Sequence, residues 1–120
     1  SLPLRLLPRL CEHFPDIHFI ILDPNEEWVL PDPFIAIDTV VGLPTIHLFQ
    51  SLDEFDTSPI VSMHDFDALF NLRYLTKLGK LRGVRIIGVP PYINEVDAFK
   101  GIASTIIELL PLSTENQRLQ

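Results

Sequence analysis

Phe34-Ile35-Ala36-Ile37-Asp38 is an apolar run closed by a carboxylate. Such an unbroken run reads as a strand buried on both faces, as strands of a parallel sheet are. An acid directly after it stands at the strand's carboxyl end. In open α/β sheets, ligands bind in the crevice at that end. Reading outward, Gly42-Leu43-Pro44 makes a tight connection, and Thr45 to Phe49 forms the next strand. So short a link cannot make a parallel crossover, so this strand is expected to pair antiparallel with the one before it. Gln50 to Val61 reads as a polar, acidic loop with Asp53, Glu54 and Asp56 on a solvated surface.

Ser62 and Asp65 have the spacing of a capping box and open a helix. Phe66, Leu69, Phe70, Leu72, Leu75 and Leu78 supply its apolar face, and Gly79 stops it. Val84 to Val89 is another strand, closed by Pro90-Pro91. Gly88 within it marks a bend or a close approach. Asn94 with Asp97 caps a last helix, whose stripe is Phe99, Ile102, Ala103, Ile106 and Leu110. Upstream, Asp23 to Pro33 holds prolines at 24, 31 and 33, which leaves little room for a helix. Trp28 in that stretch lines a cleft or covers the core edge. Ile17 to Leu22 reads as a short strand. Leu2 to Phe14 reads as a helix with Leu4, Leu7, Cys11 and Phe14 facing the core. Pro3 suits its first turn, and Pro8 is a candidate kink. The order is helix-strand-strand-strand-helix-strand-helix, an α/β fold with a mixed sheet.

A chain of 120 residues with 47% hydrophobic content supports one core. Residues 1–112 are read as a single domain and 113–120 as a polar tail. A sheet that begins with a helix, in a chain that opens without methionine, points to an N-terminally incomplete domain. The net charge of −7, with no basic stripe, argues against a nucleic-acid partner. A single cysteine, Cys11, forbids an intrachain disulfide and fits a cytoplasmic setting. No apolar run approaches the roughly 18 residues of a membrane span, and no signal peptide is visible.

Two residues stand out chemically. Asp38 follows a buried run at the end where ligands bind. His64 sits on the first turn of a helix, where the dipole disfavours imidazolium and favours the neutral, metal-binding ring. A carboxylate and an imidazole together are usual ligands for a divalent metal. The plainer readings are a solvated strand-end acid and a solvated first-turn histidine. His13, His18 and His47 carry no such support and read as surface or edge residues. Asp65 and Asp67 read as cap and dipole partners.

Three segments together resemble the NiFe-hydrogenase maturation endopeptidases: Phe34 to Gly42, Ser58 to Asp67 with the leucine-rich helix after it, and Val84 to Pro91. Order and spacing match from Leu2 to about Leu110. The resemblance implies a three-layer sandwich with a mixed, mostly parallel sheet, of the phosphorylase/hydrolase-like kind. It implies an enzyme that removes a C-terminal extension from a nickel-loaded hydrogenase large-subunit precursor. The nickel belongs to the substrate, and Asp38 and His64 match two of the three side chains that contact it. The chain departs from the family at its start. The opening strand, its Gly-x-Gly-Asn type loop and the first acid are absent, and Asp23-Pro24-Asn25-Glu26 stands where an Asp-Gly-Gly-Thr-like loop is expected.

Other classes stay in view. A non-catalytic metal- or protein-binding module on the same fold would need only part of that ligand set. A phosphoacceptor receiver domain also places an Asp after a buried strand, but its expected late-strand Lys is replaced by Gly88-Val89-Pro90-Pro91. No Ser-His-Asp or Cys-His arrangement is convincing, and a His-Glu-x-x-His helix is absent.

Overall fold

The computed structural model describes residues 2–21, 28–30, 34–57 and 68–110. Among them are four helices and three strands: α1 Leu2–His13, β1 Phe34–Thr39, β2 His47–Phe49, α2 Leu52–Thr57, α3 Ala68–Lys77, β3 Val84–Val89 and α4 Glu95–Leu109. The strands form one mixed sheet in the order β1-β3-β2. β1 runs parallel to β3, from Phe34 opposite Val84 to Thr39 opposite Val89. β2 runs antiparallel to β3, with His47 opposite Gly88 and Phe49 opposite Ile86.

The expected strand direction is therefore correct and the expected partner is not. β2 lies antiparallel to β1 but pairs with β3, which sits between them. Burial follows this order. β3 is buried at nearly every position, whereas β1 leaves Ile35 38% exposed. The middle strand has both edges hydrogen-bonded and both faces covered, so β3 is buried apart from Arg85, while β1, expected to be buried on both faces, is not.

Two apolar clusters flank the sheet. One gathers Phe34, Ala36, Val84, Ile86 and Phe49 with Phe55 of α2 and Leu72 of α3. The other gathers Ile87 and Val89 with Leu2, Leu6 and Leu10 of α1 and Ala98, Ile102 and Ile106 of α4. The alternation along β3, Ile86 to one side and Ile87 to the other, is the two-residue period of a strand.

α1 corrects the expected helix face. Leu2, Leu6 and Leu10 are buried, with Phe14 beyond the helix end, while Leu4 is 50% exposed and Cys11 is exposed. The chain offers two stripes at helical spacing, 2-6-10 and 4-7-11, and docking on α4 selects the first. That docking is also polar: Arg5 Nε meets Glu95 Oε1 at 3.1 Å, and the Arg9 guanidinium lies 4.4 Å from the Phe99 ring centre. Pro8 lies inside α1, which continues through it to His13.

Two further expectations are corrected. Residues 17–21 of the expected strand Ile17–Leu22 form no strand, and Ile21 is 66% exposed. An apolar run makes a strand only beside a hydrogen-bonding edge, and no strand among the described residues lies against it. The acidic stretch after Gln50 contains α2 rather than only loop. Ser51 Oγ accepts from the Glu54 amide at 3.1 Å, and the Glu54 carboxylate accepts from the Gln50 amide. Ser51-Leu52-Asp53-Glu54 is thus the Ser-x-x-Glu start signal. Phe55 then turns inward, its ring 5.0 Å from that of Phe49.

Two further helix signals hold, the Gly79 stop and the Asn94 cap. Gly79 adopts φ 73°, and the Lys80 amide donates back to the Leu75 carbonyl, a left-handed stop for α3. Asn94 Oδ1 accepts from the Asp97 amide at 2.9 Å, and Asn94 Nδ2 donates to Asp97 Oδ2 at 2.8 Å. Leu110, expected in the buried stripe, instead ends α4 in an extended conformation, which the following proline favours, and is 40% exposed. Trp28 is buried in the cluster beside β1 and so covers the core.

Candidate functional site

Asp38, expected to end the strand Phe34 to Asp38, is the penultimate residue of β1. It is half-buried, and its Oδ1 accepts the Thr39 amide at 2.8 Å. Its register partner on β3 is Gly88, whose partner on β2 is His47. Asp38, Gly88 and His47 thus form one row across the sheet, on the face of Ala36, Ile86 and Phe49. The missing side chain of Gly88 is a packing requirement. A Cβ there would stand 2.6 Å from Leu43 Cδ1, 3.1 Å from Phe49 Cε2 and 3.3 Å from Val40 Cγ2. These three side chains crowd the space over Gly88 in the middle of the row. His47 turns to α2, where its Nε2 lies 3.5 Å from Glu54 Oε1.

The chain leaves the sheet beside Asp38 through Val40, Val41 and Gly42, with Gly42 at φ 96°. β3 leaves the sheet at the same end through Pro90 and Pro91. Val41 to Pro44 and Pro90 to Ile93 together line a cleft of ≈ 400 Å³. Its lining side chains are apolar apart from the Tyr92 hydroxyl, and Tyr92 is 97% exposed. The cleft lies at the carboxyl ends of two parallel strands, the position at which open α/β sheets bind ligands. Sequence reading found Asp38 and the proline pair but not the cleft. Its two walls are separated by more than forty residues and meet only because β1 and β3 are neighbours.

His64 lies outside the described residues, as do the Ser62–Asp65 cap and Asp67. Among the described residues, no group of three or more His, Cys, Asp or Glu side chains gathers as metal ligands do. Nor is any helix among them long and apolar enough to cross a membrane. No family model, curated protein or solved structure matches this chain.

Proposed function

We propose that this chain is an endopeptidase of the hydrogenase-maturation kind, acting on a nickel-loaded large-subunit precursor in the cytoplasm. The fold proposed with it is the three-layer α/β sandwich with a mostly parallel sheet. The observation that carries the reading is the place of Asp38, at the carboxyl end of a parallel strand whose following loop, Val41 to Pro44, lines an apolar cleft. The likeness of Phe34 to Gly42 and of Val84 to Pro91 to that family adds to it. In this reading Asp38 and His64 hold the substrate's nickel, and the cleft receives polypeptide next to the scissile bond. A bound metal would polarise the carbonyl or a water there.

A binding module on the same fold is the second reading. It is favoured by the bond from the Thr39 amide to Asp38, which a purely structural carboxylate also makes. The test is a nickel titration of the chain, Asp38→Ala and His64→Ala, with circular dichroism to confirm folding. Binding of about one nickel per chain, lost in both folded variants, supports the endopeptidase and leads to a precursor-cleavage assay. Equal binding in all three proteins, or none in any, removes the metal site and leaves the binding module.

A further inference from the structure

We draw no further inference here: the strongest candidate, the apolar cleft between residues 41–44 and 90–93 at the carboxyl ends of β1 and β3, belongs to the site already described, and nothing in the structure shows what covers its walls.

Discussion

Gly88 and Gly79 are both required, for opposite reasons. At Gly88 the constraint is space, because an added Cβ would meet Leu43, Phe49 and Val40. All three neighbours are buried, so each has little freedom to yield. Gly88→Ala is therefore expected to cost about 1–3 kcal/mol, by analogy with other overpacked cores. At Gly79 nothing lies within 4 Å of an added Cβ, but φ is 73°. Gly79→Ala should cost roughly 1–2 kcal/mol through backbone strain alone. Urea unfolding of each variant gives the comparison. Adding Leu43→Ala to Gly88→Ala separates the two mechanisms: it should offset part of the Gly88 effect beyond what the single variants predict. Simple additivity of those losses would sink the packing account. The two glycines were legible as a close approach and a helix stop. The identity of the crowding atoms was not, since Leu43 and Phe49 reach Gly88 across the sheet.

Helix ends are local, and most of their chemistry can be read from a few consecutive residues. Asn94 and Asp97 announce α4, and their reciprocal bonds bear this out. Ser51 and Glu54 announce α2 with the same force, but surrounding acids make the segment resemble a loop. Ser51→Ala and Asn94→Ala should each cost about 1 kcal/mol, the usual worth of an N-cap side chain. Amide exchange would show where. Ser51→Ala should speed exchange at the Glu54 amide, and Asn94→Ala at the Asp97 amide, each leaving the other helix unchanged. Unaltered exchange at both amides would mean that packing, not capping, holds these first turns. Which face a helix buries is less local. α1 has two apolar stripes, and its contacts with Ala98, Ile102 and Ile106 decide between them.

At the scale of the molecule, the sheet separates two cores that share β3. Leu6 and Leu72 are fully buried in different clusters. Leu6→Ala and Leu72→Ala should each destabilise by about 2–5 kcal/mol, through lost burial and the cavity left behind. The double variant should show their sum to within about 0.5 kcal/mol, because the sites share no partners. Denaturant curves measure all three, and a coupling well above that margin would contradict two independently packed cores. By itself, the sequence determined the element types at Phe34 to Asp38, Val84 to Val89 and along α4, because their apolar periods and end signals are written in neighbouring residues. It also placed an acid, Asp38, at the carboxyl end of the first of these strands. Only the tertiary structure decided that β3 takes the centre, that residues 17–21 form no strand, and that a cleft opens between Val41 and Tyr92. Strand order and cleft walls depend on contacts between residues far apart in the chain. Such contacts are settled by which surfaces bury one another and leave no local pattern to read.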